Sequence, residues 1–177
     1  MPKKSSRRTA PRRQRHHADV LAAHRHWLKE AERMAARPVS RGGSPHPSVK
    51  VGAVLVDRKG REIAKASNRF AHGLDRRRPE RYRDGAKSLW INCAEQIAVV
   101  EALRKHADTK DARLYVTLEP CAVCAGLIAE MRLKEVFVPA GSFRRYARLK
   151  SKWKDSIEIG LVKLAEAGVK VTAIDAE

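Results

Sequence analysis

Cys93-Ala94-Glu95 and Pro120-Cys121-Ala122-Val123-Cys124 decide the reading of this chain. The two stretches contain all three of its cysteines. Cys121 and Cys124 stand three apart, so on a helix both thiolates face the same way. Cys93 can supply a third ligand. Three thiolates with no evident fourth partner match a zinc site with one coordination position left open, whereas structural zinc sites are usually closed by four protein ligands. An open position points to catalysis. Glu95, two residues after Cys93, is a carboxylate suited to moving protons there. Cys93 and Cys121 each open an expected helix, so two positive helix ends point at the metal and offset the excess negative charge of three thiolates over Zn2+. The competing reading is a zinc knot that only holds the fold. The complete C-A-E with P-C-x-x-C, each at a helix start, favours catalysis over that alternative.

Outward from these stretches the pattern is regular. Val20, Ala23, Trp27, Ala31 and Met34 recur at helical spacing, so residues 18–37 are expected to form a helix. Residues 38–47 form a turn-rich connector. Val49 to Val56 is a nearly continuous apolar run, as in a strand buried on both faces. Asp57-Arg58-Lys59-Gly60 reads as a hairpin turn, with a returning strand over 61–67. Residues 70–89 read as a long, arginine-rich loop. Helices are expected over 93–106, 120–131 and 152–167, and strands over 112–117, 135–139 and 169–174. Pro120 suits a helix start, and Gly168 suits a left-handed helix cap. The element order implies a three-layer α/β/α sandwich around a five-stranded mixed sheet.

The length fits one domain with its own core. No apolar run approaches the ~20 residues of a membrane span, and the N-terminus lacks the apolar stretch of a secretory signal. Disulfides are not expected, because every cysteine falls in the metal motif; a reducing, cytoplasmic setting suits them. The net charge is +18. Residues 1–17 hold seven basic side chains and no acid, which leaves +11 on the rest. This segment is expected to be a disordered basic tail ahead of one domain at 18–177. It offers contact to nucleic acid, although a solvated terminus is the commoner meaning of such a sequence.

The two metal-motif stretches resemble the signature of zinc-dependent nucleobase deaminases, with Cys93 where a His is usual. Over about residues 20–174 the chain resembles the cytidine/deoxycytidylate deaminase superfamily. Pro47-Ser48-Val49-Lys50-Val51-Gly52-Ala53-Val54, Arg78-Pro79-Glu80-Arg81-Tyr82, Lys87-Ser88-Leu89-Trp90-Ile91 and Trp153-Lys154-Asp155-Ser156 resemble its deoxycytidylate branch most closely. The resemblance implies a cytidine-deaminase-like fold, hydrolytic deamination of a cytosine nucleotide (dCMP to dUMP), and Zn2+ on Cys93, Cys121 and Cys124. It also implies Glu95 as proton shuttle, Asn68 and Ala94 at the substrate, and a homo-oligomer. Thr117-Leu118-Glu119-Pro120-Cys121 also resembles tRNA adenosine deaminases and guanine deaminases, so a base in RNA or a free purine is the alternative. A nucleic-acid-binding protein on an inactive scaffold is the non-enzymatic one. His72, Phe143 and Tyr146 are weaker candidates for substrate contact. The arginines of 69–83 could meet a phosphate or simply form a solvated surface.

Overall fold

Alternation along three strands divides the core into two. Ala53 and Leu55, Leu114 and Val116, and Val136 and Val138 belong to one apolar cluster; Val54, Val56, Tyr115 and Phe137 belong to the other. Side chains two apart share a sheet face, so each strand feeds both clusters. The computed structural model describes residues 12–83, 86–145 and 151–175. In chain order these form α1 (Arg12–Ala36), β1 (Gly52–Val56), β2 (Glu62–Ser67), β3 (Arg69–Phe70), α2 (Lys87–Trp90), β4 (Ile91–Asn92) and α3 (Ala94–Arg104). They continue as β5 (Arg113–Val116), α4 (Ala122–Glu130), β6 (Glu135–Pro139), α5 (Ser142–Arg145), α6 (Ser151–Glu166) and β7 (Lys170–Ile174). Single 3-10 turns lie at Val39–Arg41 and Pro79–Tyr82.

The main sheet has the order β2-β1-β5-β6-β7. β1 runs antiparallel to β2 and β5, while β5, β6 and β7 are mutually parallel. Helix α1 covers one face through Leu28 and Ala31. Ala94, Ile97 and Ala98 of α3, Ala125 and Ile128 of α4, and Ile157 and Leu164 of α6 cover the other. The expected three-layer sandwich with a five-stranded mixed sheet is present. Close approaches set its geometry. A Cβ on Gly52 would lie 1.9 Å from the Ala31 carbonyl oxygen, and one on Gly160 only 2.4 Å from that of Pro120. Glycine at these positions lets α1 settle on β1, and α6 on the start of α4.

Several boundaries differ from the sequence reading. Helix α1 begins at Arg12, so residues 12–17 are its first turns, not part of a disordered tail. Arg12 to Ala18 contains no Gly, Pro or β-branched residue. A segment without helix breakers, rich in Arg, Gln and Ala, can extend a helix by backbone propensity alone. Residues 1–11 of the expected tail lie outside the described residues. β1 starts at Gly52 instead of Val49 because side chains claim the intervening backbone. The Val49 amide donates to His46 Nδ1 (2.8 Å), and that of Val51 to Asn68 Oδ1 (2.8 Å). The expected loop over 70–89 is flanked by a two-stranded sheet, in which Arg69 faces Asn92 and Phe70 faces Ile91. Two-residue strands carry no periodic signal, so only the folded chain discloses them. Among the described residues, no helix is long and apolar enough to cross a membrane.

Candidate active site

Cys93 and Cys121 occupy the N-cap positions of α3 and α4. Each has extended backbone dihedrals, which turn its side chain back over the helix start. The Cys93 amide donates to Gln96 Oε1 (3.0 Å), fixing the entry into α3. The amide of Ala122, which opens α4, donates to Ser156 Oγ of α6 (3.2 Å). Cys124 lies one turn into α4. The three Sγ atoms all lie within 4.8 Å of one another. Tetrahedral zinc with Zn–S bonds of about 2.3 Å wants sulfurs roughly 3.8 Å apart, so modest closing of the side chains suffices. The donor set is all thiol, and two helix N-termini converge on it. These features fit a zinc ion.

The electrostatics agree with this geometry. Cys121 gives up its proton most readily: the Cys124 and Cys93 thiols donate to it, as do the Cys124 and Val123 amides. The thiols of Cys93 and Cys124 are pushed up, chiefly by their hydrogen bonds with Cys121. A dication at the centre would favour all three as thiolates. Glu95 is 4% exposed. Burial pushes its carboxyl up to about 7; its own amide opposes that shift and the negative charge at Cys121 adds to it.

One pocket reaches this cluster from outside, with Cys124 buried behind it. Cys93, Glu95 and Cys121 form part of its wall, with Asn68 after β2, Asn92 of β4, Glu119 before α4 and Trp153 of α6. Residues 16–140 match the family described as the cytidine and deoxycytidylate deaminase zinc-binding region. The chain belongs to this deaminase family. A tRNA-specific adenosine deaminase of Rickettsia bellii is 37% identical over 101 residues, 56% of this chain and 61% of the relative. A probable deoxycytidylate deaminase of Caenorhabditis elegans is 28% identical over 120 residues, 66% of this chain and 57% of the relative. The alignments thus span about three fifths of these relatives. The crystal structure of the cyanophage S-TIM5 dCMP deaminase, in complex with dCMP and dUMP, superposes with a TM-score of 0.61 at 22% identity. That superposition covers 94% of this chain and 99% of the phage enzyme, and it establishes the shared fold.

The deaminase fold brings together Cys93, Glu95, Cys121, Cys124 and Asn68, and it redistributes the other candidates. Ala94 is fully buried in the core behind the pocket. Asn68 has both ends of its amide engaged: Oδ1 by Val51, and Nδ2 by the Val49 carbonyl (3.0 Å). It therefore shapes the pocket wall as well as bordering it. The arginine loop stands aside. Arg77 and Arg78 pair with Asp75, and the Arg81 guanidinium sits 4.3 Å over the Trp90 ring. Arg69, which pairs with Glu101 at 3.3 Å, lines a neighbouring cavity with His72 and Arg104. Asn92 borders both that cavity and the cysteine pocket. Phe143 packs at the edge of the core, and Tyr146 lies outside the described residues. Sequence reasoning missed His46, Asn92, Glu119 and Trp153 as pocket residues. His46, Glu119 and Trp153 stand in or beside motifs that carried the resemblance, which was the available signal.

Proposed function

We propose that the protein is a zinc-dependent hydrolytic deaminase acting on a cytosine nucleotide, with dCMP the first candidate. The cluster of three thiols, two of which share a pocket wall with the buried Glu95, carries this reading. Cys93, Cys121 and Cys124 would hold the ion. When bound, zinc supplies the Lewis acidity that makes water a competent nucleophile near neutral pH. The reaction joins a water oxygen to the ring carbon that carries the amine, and breaks the carbon–nitrogen bond. One proton of the water goes to the ring nitrogen and the other leaves with ammonia. Glu95 is the group that moves them. A buried carboxyl with a proton affinity near neutral can both accept and release a proton at working pH. Trp153 of α6 offers a ring wall in the same pocket.

The nucleotide part of the reading rests on the cavity beyond Asn92. A base seated over Glu95 would leave its sugar and phosphate to extend toward Arg69, His72 and Arg104. Guanidinium groups suit a phosphate there. Ammonia release by zinc-loaded protein tests the proposal, with dCMP, deoxycytidine, cytidine, adenosine and guanine compared. Faster turnover of dCMP than of deoxycytidine is expected. Equal turnover of the two would remove the phosphate from the reading. A base in RNA is the second reading, supported by the 37% identity to a tRNA-specific adenosine deaminase and by the basic start of α1. It predicts turnover of adenosine in an anticodon hairpin and silence on dCMP.

A further inference from the structure

Glu119 is the second carboxylate in the pocket, and Glu95 already has the protons of the attacking water to carry. Ser142, which opens α5, donates its hydroxyl hydrogen to Glu119 Oε1. The other oxygen, Oε2, is buried and has no hydrogen-bond partner among the described residues. A serine thus anchors one end of the carboxylate while the other lacks a donor, in a side chain that borders the same pocket as Cys93, Glu95 and Cys121. Buried acceptors without a donor are rare and call for an explanation. Of the neighbouring polar groups, Asn68 is tied at both ends. His46 Nδ1 accepts the Ser48 and Val49 amides, which places the proton of its neutral ring on Nε2, a donor. Glu119 Oε2 is thus a buried acceptor beside the pocket that no donor among the described residues engages.

We infer that Glu119 Oε2 accepts a hydrogen bond from the amine that the reaction expels. This rests on the deaminase reading but not on the choice of base. Every substrate of a hydrolytic deaminase carries that amine, so it is the one donor always delivered to the pocket. Oε2 would hold an N–H of the amine in the plane of the ring before attack. As the carbon–nitrogen bond breaks, the nitrogen keeps the bonding pair and takes one water proton by way of Glu95. Ammonia then leaves from beside a carboxylate that favours its cationic form. Glu119 transfers no proton in this scheme; it is a specificity and positioning group for the leaving nitrogen.

The test compares substrate with product, because only the substrate carries the amine. It uses the full zinc-loaded protein in an inactive Glu95→Gln background. The ligand pair is whichever of dCMP/dUMP, guanine/xanthine or an adenosine/inosine anticodon hairpin corresponds to the compound that the native enzyme deaminates fastest. Calorimetry then gives affinities with and without Glu119→Ala. Loss of a hydrogen bond to a charged group should weaken substrate binding by about 10-fold or more, while product binding changes by less than about twofold. Glu119→Gln keeps an oxygen for either Ser142 or the amine, and should fall between. Equal weakening toward substrate and product overturns the inference in favour of a sugar contact or a purely structural carboxylate. Unchanged affinity for both overturns it in favour of a water held at Oε2. Silence of the native enzyme on every amine in the panel removes the deaminase reading itself, and this inference with it.

Discussion

Replacing Gly160 with alanine should unseat α6 from the metal-bearing helix. Gly160 lies within α6 and is buried. Its added Cβ would stand 2.4 Å from the Pro120 carbonyl oxygen, 3.0 Å from the Cys121 carbonyl carbon and 3.2 Å from its oxygen. Ordinary contact begins near 3.4 Å, so α6 must retreat by about 1 Å, and the obstructing atoms are backbone that cannot rotate away. Overpacking of this kind costs about 1–3 kcal/mol. Alanine's helix propensity returns up to about 1 kcal/mol. The net expectation is a loss of up to about 2 kcal/mol. The same retreat would stretch the Ser156–Ala122 hydrogen bond and draw Trp153 and Ile157 away from the pocket. Gly126 of α4 is the internal control. A Cβ there meets only the Lys163 ammonium, at 3.9 Å. Gly126→Ala should therefore stabilise by up to about 1 kcal/mol. Urea unfolding at fixed zinc concentration measures both variants, read as midpoint shifts at constant slope. A Gly160→Ala protein at least as stable as the native one, with native zinc retention, would refute the close-packing argument.

Three further outcomes are expected. Glu95→Gln should reduce ammonia release by about 100-fold or more while leaving zinc stoichiometry intact, since the carboxylate lies outside the thiol cluster; metal loss in this variant would instead assign Glu95 a structural role. Arg69→Ala and Arg104→Ala should raise KM for dCMP and leave deoxycytidine untouched, and equal effects on both compounds would place the phosphate elsewhere. Asp57 accepts the Arg61 and Lys59 amides and pairs with the Arg61 side chain, and the Arg61 amide is the largest cause of its lowered pKa. A carboxyl depressed on folding adds stability above its unfolded pKa of about 3.9, and loses it as pH falls through the lower folded value. Acid titration of stability should thus show a weaker decline below about pH 4 in Asp57→Asn than in the native protein; superimposable acid limbs would mean that the turn does not bind the carboxylate.

Much of the architecture could be read locally. The β6 range 135–139 and the left-handed Gly168, at φ +71°, are as expected, because alternation and a glycine after a periodic helix are short-range signals. The helix starts at Cys93 and Cys121 were legible too, and with them the convergence of the thiols. Residues 49–51 were misjudged for the opposite reason. Their apolar character suits a strand, yet the partners that remove them from the sheet are His46 and the distant Asn68. The β3–β4 pair was hidden because each strand is only two residues long. Composition left the arginine loop open between a phosphate site and a solvated surface, and only the fold shows Asp75, Glu101 and the Trp90 ring engaging several of its guanidiniums.

The chemistry was legible in the residues alone: three thiols and one carboxylate, at spacings that two helix starts can bring together. So was the layer order, because hydrophobic period and turn residues act over a few neighbours. Which side chains share the pocket with that chemistry depends on the folded chain. Asn92, Glu119 and Trp153 come from three separate elements, and the direction each takes depends on strand pairing and on the seating of α6 against α4. That seating depends on a glycine whose missing methyl matters only when the two backbones meet. Long-range contact of this kind leaves no periodic trace in a chain, so the metal motif could be recognised from its residues, while the walls that would choose its substrate had to be seen folded.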